Sequence, residues 1–216
     1  MLYLDSADPA DVREADRLGF LSGVTTNPTL MRPHTRDALA HLELLLGLLR
    51  SGTVLFQPTS GDVAEAERQA RAAHGLAPER VVVKLPATIE HARLAAVMVR
   101  DGIPCAMTAV YSPGQALLAH ASGCAWVIPY VNRMWQDPRA DPDALARIAT
   151  VLRAAVSPIR ILAASVKSAG QVAWSLHAGA HAVSVPLAVL RELGSHPATD
   201  DAIAAFEWET TALAGH

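Results

Sequence analysis

Short apolar runs recur along the chain and alternate with longer segments of helical periodicity. There are eight such runs, and their first residues lie 21 to 33 positions apart. The runs are apolar at consecutive positions, which is typical of parallel strands covered by helices. They are Leu2–Leu4, Gly23–Thr25, Val54–Phe56, Val81–Val83, Pro104–Met107, Trp126–Pro129, Ile159–Ala163 and Ala182–Val185.

The segments between the runs predict helices. In Asp37–Arg50, for example, leucines recur three and four positions apart and form one apolar stripe. Asp62 is placed as a helix N-cap and Gly75 as a helix stop. The predicted helices are Asp37–Arg50, Asp62–His74, Glu90–Arg100, Pro113–Ala121, Asp143–Ala155, Ala169–Ala178 and Leu187–Leu193.

Eight strand–helix units predict an α/β protein, a (β/α)₈ TIM barrel formed by one domain over residues 1–216. An open doubly wound sheet is the alternative, but the Gly-x-Gly-x-x-Gly and Walker motifs that such sheets often carry are absent from the sequence. Residues 197–216 lie beyond the eighth unit and predict an extra helix. Its apolar residues, which suggest packing on a neighbouring subunit, are Ala202, Ile203, Phe206 and Trp208.

Composition places the chain among folded globular proteins. Hydrophobic residues make up 51% and the net charge is −3, which excludes disorder and disfavours binding to nucleic acid or to a membrane surface. The apolar runs are shorter than the roughly 20 residues of a membrane span. The N-terminus lacks the features of a secretory signal, so we expect a cytoplasmic protein. Cys105 and Cys124 are predicted to be buried free thiols.

Polar residues follow nearly every predicted strand. In a closed barrel the active site lies at the carboxyl ends of the strands, so these side chains are expected to converge. They are Asp5, Thr26, Asn27, Gln57, Lys84, Thr108, Tyr130, Arg133, Ser165 and Ser184.

Lys84 is the most informative of them. The chain has 18 basic residues, and only Lys84 and Lys167 are lysines. A lysine on an inner barrel strand has a lowered pKa, because burial disfavours the charged form. The neutral amine can attack a ketone and form a Schiff base, which allows an adjacent carbon–carbon bond to break or form. The alternative is a lysine that extends to the surface and has no chemical role.

The other strand-end residues suggest supporting roles. Arg133 and Ser165 suit a phosphate monoester, although Arg133 could instead pair with Asp137.

Three hydrogen-bonding side chains, Gln57, Thr108 and Tyr130, could hold one water and relay a proton, or could simply be satisfied polar groups. Asp5 either binds a substrate hydroxyl or caps a helix that starts near Pro9.

Metal binding is disfavoured. His177 and His181 are four residues apart, but Gly179 lies between them where a predicted helix ends, and no third ligand is evident. We therefore expect no metal site.

Several of these segments together resemble the transaldolase family, and within it the short fructose-6-phosphate aldolase branch. The similarity extends from Leu4 to about Pro186. Gln57 and Tyr130 stand where classical transaldolases tend to carry Glu and Phe, which favours the aldolase branch. The segments are Gly23–Leu30 (GVTTNPTL), Val81–Thr88 (VVVKLPAT), Thr108–Tyr111 (TAVY), Val127–Arg133 (VIPYVNR) and Ile161–Ser165 (ILAAS).

The resemblance implies a role for each candidate residue. Lys84 would form the Schiff base, while Asp5 and Asn27, next to Thr26, would bind hydroxyls of dihydroxyacetone. The catalytic water would be held by Gln57, Thr108 and Tyr130, and the phosphate by Arg133 and Ser165. The family needs no metal or cofactor. Its short members are commonly homo-oligomers, often decamers, in which the C-terminal helix crosses onto a neighbour.

The sequence also departs from classical transaldolases. Ala106 stands where they carry Asn, and Ile128 where they carry Ser, so hydrogen bonds to dihydroxyacetone are lost. Val166 replaces a common Phe, and Pro58 follows Gln57, which changes the shape of the pocket.

The leading hypothesis is a class I aldolase that cleaves or forms fructose 6-phosphate from dihydroxyacetone and glyceraldehyde 3-phosphate. A transaldolase is the first alternative. Others are a deoxyribose-phosphate-type aldolase that uses Lys167 and a non-catalytic barrel that binds a phosphosugar.

Overall fold

The computed structural model describes residues 1–214, with the side chains of residues 1–206. Eight parallel strands close into a barrel in chain order, and the last strand pairs with the first. The predicted (β/α)₈ barrel is therefore confirmed, and the open sheet is wrong. The strands are β1 (Leu2–Asp5), β2 (Gly23–Thr25), β3 (Thr53–Phe56), β4 (Val81–Pro86), β5 (Cys105–Val110), β6 (Trp126–Pro129), β7 (Arg160–Ala163) and β8 (Ala182–Val185).

Helices connect the strands and surround the barrel. All seven predicted connecting helices are present, with ends within about two residues of the prediction. The short helices α2 and α7 were not predicted from the sequence. The helices are α1 (Pro9–Leu18), α2 (Pro28–Met31), α3 (Ala38–Leu48), α4 (Val63–Leu76), α5 (Ile89–Arg100), α6 (Pro113–Ala121), α7 (Val131–Gln136), α8 (Ala144–Ala154), α9 (Ala169–His177), α10 (Leu187–Glu192) and α11 (Pro197–Ala214).

Helix ends follow the local capping chemistry, with two corrections. Asp62 caps α4 as predicted, since its carboxylate accepts from the Glu65 amide at 2.8 Å. The helix does not stop at Gly75 but runs through it to Leu76, because one glycine costs a helix only about 1 kcal/mol. The cap of α1 is Asp8, which accepts from the Ala10 amide at 2.7 Å, and not Asp5.

Two separate apolar layers stabilise the barrel. In β4, Val81, Val83 and Leu85 belong to the layer between the strands and the helices, whereas Val82 points inward. This alternation is the period of two that a strand imposes on its side chains. The inner layer fills the barrel with Tyr3, Leu55, Val82, Ala106, Trp126, Ile128, Leu162, Ala164 and Ala182.

Cys105 and Cys124 lie in the outer layer as free thiols, as the sequence predicts. Burial raises the pKa of each thiol to about 12, so both remain protonated near neutral pH. Within the described residues, no helix combines the length and apolar character needed to cross a membrane.

Helix α11 follows the eighth unit, where an extra helix is predicted, and is helical to Ala214. From Pro197 to Phe206 its side chains are exposed, apart from the half-buried Ala202. The side chain of Trp208 and the predicted helical residues Gly215 and His216 lie outside the described part of the chain.

The turn after α8 contains an unfavourable residue. Val156 has a φ of 49°, a left-handed conformation that is costly for a β-branched residue, and its side chain is 89% exposed. The same position after α5 is occupied by Gly102, with a φ of 82°.

We predict that Val156→Gly raises the free energy of unfolding by about 0.5–1 kcal/mol, because strain relief exceeds the entropy cost of glycine. Urea denaturation at a fixed protein concentration measures the change. Gly102→Ala is the matched control and should destabilise, since its added Cβ contacts nothing within 4 Å and only strain is introduced. A destabilised Val156→Gly variant would show that the valine side chain makes stabilising contacts.

Candidate active site

A cavity of about 400 Å³ opens at the carboxyl ends of the strands, where barrel enzymes carry their active sites. Thr26 and Thr108 are fully buried and do not line it, although the sequence predicted them as site residues. Ser184, also expected among the converging residues, is buried and does not line it either. The remaining predicted site residues do line it: Asp5, Asn27, Gln57, Lys84, Tyr130, Arg133 and Ser165.

Lys84 points into the cavity from β4 and is only 3% exposed. Its Nζ donates to the Thr26 carbonyl oxygen at 2.7 Å. Burial lowers the pKa of the amine from 10.5 to about 8, and the nearby carboxylate of Asp5 opposes that shift. The amine therefore has both the access and the lowered pKa that a nucleophile needs.

Asp5 lies at the end of β1 and lines the same cavity. Its Oδ1 accepts from the Thr25 hydroxyl at 3.0 Å, and Thr25 in turn contacts the Ser184 hydroxyl at 2.6 Å. Burial raises the pKa of Asp5, while Lys84 and the Thr25 hydrogen bond lower it. The carboxylate and the amine thus share one low-dielectric space.

Tyr130 follows β6 and belongs to a second set of polar side chains. The Thr108 hydroxyl donates to the Tyr130 hydroxyl at 3.1 Å, and Gln57 lines the same cavity. Burial raises the pKa of Tyr130, so its hydroxyl stays protonated near neutral pH and can donate to a ligand or a water. Within the described residues, the Gln57 amide has no hydrogen-bond partner and is available to the cavity.

The chain segment after β2 contributes in a way that the sequence did not reveal. Asn27 caps α2, since its Oδ1 accepts from the Leu30 amide at 3.0 Å, and this bond orients its NH₂ group, which can donate to a ligand. The Thr26 hydroxyl donates to the Leu55 carbonyl oxygen at 3.2 Å. Thr26 therefore contributes to the site through its backbone carbonyl oxygen, which accepts the hydrogen bond from Lys84 Nζ.

Cationic residues lie at the mouth of the cavity. Arg133 on α7 and Lys167 after β7 are exposed and line it, together with Ser165. The alternative pairing of Arg133 with Asp137 is wrong. Asp137 binds Arg139 through two hydrogen bonds, and the Arg133 guanidinium lies 5.0 Å from the centre of the Tyr130 ring.

The cavity wall combines polar and apolar groups. Polar side chains follow β1 to β4, and the part of the wall near β6 and β7 adds Tyr130 and Ser165 but also the apolar Ile128 and Ala164. Ile128 is 1% exposed and belongs to the inner apolar layer. At the Ile128 position the wall therefore offers a ligand no hydrogen bond.

The histidine pair considered from the sequence does not form a metal site. His181 Nδ1 accepts from the Ile161 amide at 3.0 Å. Across residues 1–206, no three His, Cys, Asp or Glu side chains gather in a way that could hold a metal ion.

Sequence reasoning missed three contributors to the site. Thr25 was treated as a strand residue, Ser184 had no assigned role, and Lys167 was considered only as an alternative nucleophile. Counting inward positions with a period of two would have found Thr25, because it pairs with Asp5 in the register of β1 and β2. Ala109 also lines the cavity, at an irregularity in β5 where its φ is 56°.

Comparison with solved structures gives the fold alone. The chain is similar to dihydrodipicolinate synthase from Rhodopseudomonas palustris, with a TM-score of 0.61 and 14% identity over 85% of this chain and 69% of that one. At this identity the similarity supports the barrel and carries no statement about the reaction.

Comparison with known sequences is more specific. A probable transaldolase from Symbiobacterium thermophilum is 35% identical, with 96% of each chain covered. A probable transaldolase from Dehalococcoides mccartyi is 32% identical and covers 97% of this chain and 98% of its own. The family model described as transaldolase/fructose-6-phosphate aldolase matches residues 2–214. The chain therefore belongs to the transaldolase/fructose-6-phosphate aldolase family and is an enzyme, either an aldolase of this kind or a transaldolase.

Proposed function

We propose that the protein is a class I aldolase that cleaves fructose 6-phosphate to dihydroxyacetone and glyceraldehyde 3-phosphate, or joins them in reverse. The observation that carries the proposal is the buried Lys84 amine, which faces a cavity and has a pKa of about 8. At pH 7 about one such amine in ten is neutral, against about one in three thousand at a pKa of 10.5.

The reaction begins at the Lys84 amine. Its neutral Nζ adds to the C2 carbonyl of the ketose, and loss of water gives a protonated imine. The C4 hydroxyl proton then passes to the water held beside Tyr130, from which C3 is later protonated, and the C3–C4 bond breaks. The bonding electron pair moves into an enamine, and glyceraldehyde 3-phosphate leaves. Protonation at C3 and hydrolysis of the imine release dihydroxyacetone and restore the amine.

The proton transfers fall to the polar group around Tyr130. Its hydroxyl accepts from Thr108 and remains protonated, so it is suited to donate to a bound water or to the leaving oxygen. With the free amide of Gln57 it would hold that water in the cavity. No metal is needed, because the protonated imine itself accepts the electron pair.

We propose that the phosphate binds at the mouth of the cavity. Arg133, Lys167 and Ser165 offer two cations and a hydroxyl there, which suits a phosphate dianion. The reacting carbons then lie deeper, beside Lys84. This arrangement supports a phosphorylated aldehyde and favours Lys167 as a phosphate ligand over Lys167 as the nucleophile, because its side chain is exposed.

A transaldolase is the second candidate. One observation favours the transaldolase, and another favours the aldolase. The relatives are named probable transaldolases, which favours transfer. The apolar Ile128 on the cavity wall favours release, because it offers no hydrogen bond to retain dihydroxyacetone on Lys84. We give the aldolase precedence because Ile128 is a residue of this chain, whereas the transaldolase names belong to its relatives.

Reductive trapping tests the imine. Incubation with dihydroxyacetone and borohydride should give an adduct on Lys84, read by intact mass and peptide mapping. Lys84→Met should abolish the adduct and lower activity at least about a thousandfold, since the nucleophile is gone. Lys167→Met is the matched control and should keep the adduct. An adduct on Lys167 would favour the deoxyribose-phosphate-type reaction, and no adduct on folded protein would favour a non-catalytic barrel.

Product analysis separates the two reactions. We expect free dihydroxyacetone from fructose 6-phosphate without any acceptor, at a rate that erythrose 4-phosphate changes less than about tenfold. Ile128→Ser should retain the donor longer and raise the ratio of transfer to release, because it adds a hydrogen-bonding group beside the imine. Dihydroxyacetone that leaves Lys84 only when erythrose 4-phosphate is present would establish the transaldolase.

We also propose that the enzyme is a homo-oligomer, with α11 packed on a neighbouring subunit. Support comes from the exposure of nearly every described side chain of α11, Ile203 at 50% included. A helix that contributes so little to its own core gains little stability from packing. The family resemblance suggests a decamer.

Sedimentation velocity should therefore show an oligomer for the full chain. Ile203→Glu should weaken it, because a charge would be buried at the subunit contact. Glu14→Gln is a control that changes the charge of an exposed ion pair between α1 and Arg191 of α10, and it should leave the assembly unchanged. A monomer at micromolar concentration would contradict the proposal.

A further inference from the structure

A chain of buried hydroxyl groups leads from β8 to the cavity. Ser184 is 0% exposed and Thr25 is 2% exposed, and their Oγ atoms lie 2.6 Å apart. Thr25 also reaches Asp5 Oδ1, at 3.0 Å. Thr25 and Asp5 line the cavity, whereas Ser184 does not. No step of the proposed reaction uses Ser184.

The direction of the hydrogen bonds follows from the number of protons. The Thr25 hydroxyl has one proton, and the Asp5 carboxylate can only accept. If Thr25 donated to Ser184, then Asp5 Oδ1 would lose its donor and the buried Ser184 proton would have no acceptor among the described residues. Donation from Ser184 to Thr25 and from Thr25 to Asp5 satisfies all three groups.

Such a series of donors has two effects on the carboxylate. The first hydrogen bond polarises the second and strengthens it. The bond to Oδ1 also fixes the rotation of the carboxyl group, so that Oδ2 is the oxygen left for a ligand in the cavity. Both effects would change how the Asp5 carboxylate binds the substrate, although Ser184 itself does not line the cavity.

We propose that Ser184 is a positioning residue, which acts through Thr25 to hold the Asp5 carboxylate toward the substrate on Lys84. The inference rests on the proposed Schiff-base function. It assigns a role to a serine of β8 whose hydroxyl, among the described residues, has only the Thr25 hydroxyl as a hydrogen-bond partner.

The charges around Asp5 determine how removal of the Ser184 hydroxyl would change the pH dependence of the reaction. Asp5 faces Lys84 from β4, Lys167 from the loop after β7, Arg133 from α7 and the neutral Tyr130 from the end of β6. The cations and the Thr25 hydrogen bond lower the pKa of Asp5, against the effect of burial. A weaker bond from Thr25 therefore raises that pKa. The carboxylate is then ionised only at higher pH.

Steady-state kinetics across pH tests the proposal. In Ser184→Ala we expect kcat to fall about tenfold and the acid limb of the kcat profile to move to higher pH. The kcat profile is chosen because Lys84 is already an imine at saturating substrate and no longer titrates as an amine. Ser184→Thr restores the hydroxyl and should recover both kcat and the pH profile.

Two comparisons separate positioning from a loss of packing. Ser175→Ala is the matched control, since Ser175 is also 0% exposed and donates one 2.6 Å hydrogen bond, to Gln171, on α9. It should leave the pH profile unchanged. In an Asp5→Asn background, Ser184→Ala should cause no further loss of kcat, because its effect passes through the carboxylate.

The outcomes distinguish this inference from the proposed function. Wild-type protein that traps dihydroxyacetone on Lys84, together with a Ser184→Ala variant of unchanged pH profile, overturns the positioning role alone. Wild-type protein with no adduct overturns both. If Ser184→Ala does not fold, Ser184→Cys provides a weaker donor of similar size, and it should give a smaller shift in the same direction.

Discussion

Burial of the Lys84 amine is the constraint on which the rest of the site depends. A charged ammonium in the mouth of an apolar barrel is costly, and the structure meets that cost with one backbone carbonyl, of Thr26, and one nearby carboxylate, of Asp5. Neither restores the ordinary pKa, which stays near 8. The same burial therefore demands specific neighbours and leaves a larger fraction of the amine neutral near neutral pH, which is the form that the proposed reaction needs.

The barrel creates that environment through the alternation of its strands. Inward positions deep in the barrel are filled by apolar side chains such as Tyr3 and Trp126, whose rings contact edge to face. One step closer to the carboxyl ends, the inward positions in or directly after β1, β3 and β4 are polar, with Asp5, Gln57 and Lys84, and the cavity begins there. The apolar floor excludes water from below, so the charges above it interact strongly. The same strands therefore provide an apolar layer of side chains for packing and, above it, a polar layer for the site.

The cavity is also directional. Cations at the mouth would hold a phosphate, the polar side chains after β1 to β4 would hold hydroxyl groups, and Ile128 on β6 offers no hydrogen bond. That difference bears on whether the proposed reaction ends in release or in transfer, since retention of dihydroxyacetone on Lys84 would need hydrogen bonds to it. Family membership leaves this choice open, because the family includes both transaldolases and fructose-6-phosphate aldolases.

The sequence by itself determined the strands, the barrel and the residue types at the strand ends. These features depend on local periodicity and on chain order, as the run Val81–Val83 followed by Lys84 illustrates. The hydrogen-bond partners of the side chains could not be predicted in this way. The sequence could not show that Asn27 uses its oxygen on a helix cap or that Asp137 pairs with Arg139 rather than Arg133.

Only the tertiary structure decided the contacts that tune the site. Thr25 and Ser184 are 159 positions apart, and they meet because the barrel closes and places β8 beside β1 and β1 beside β2. The shift in the pKa of Lys84 likewise depends on how completely the closed barrel removes the amine from water. A pattern along the chain identifies a lysine on a strand, but burial and hydrogen-bond direction are properties of the closed barrel.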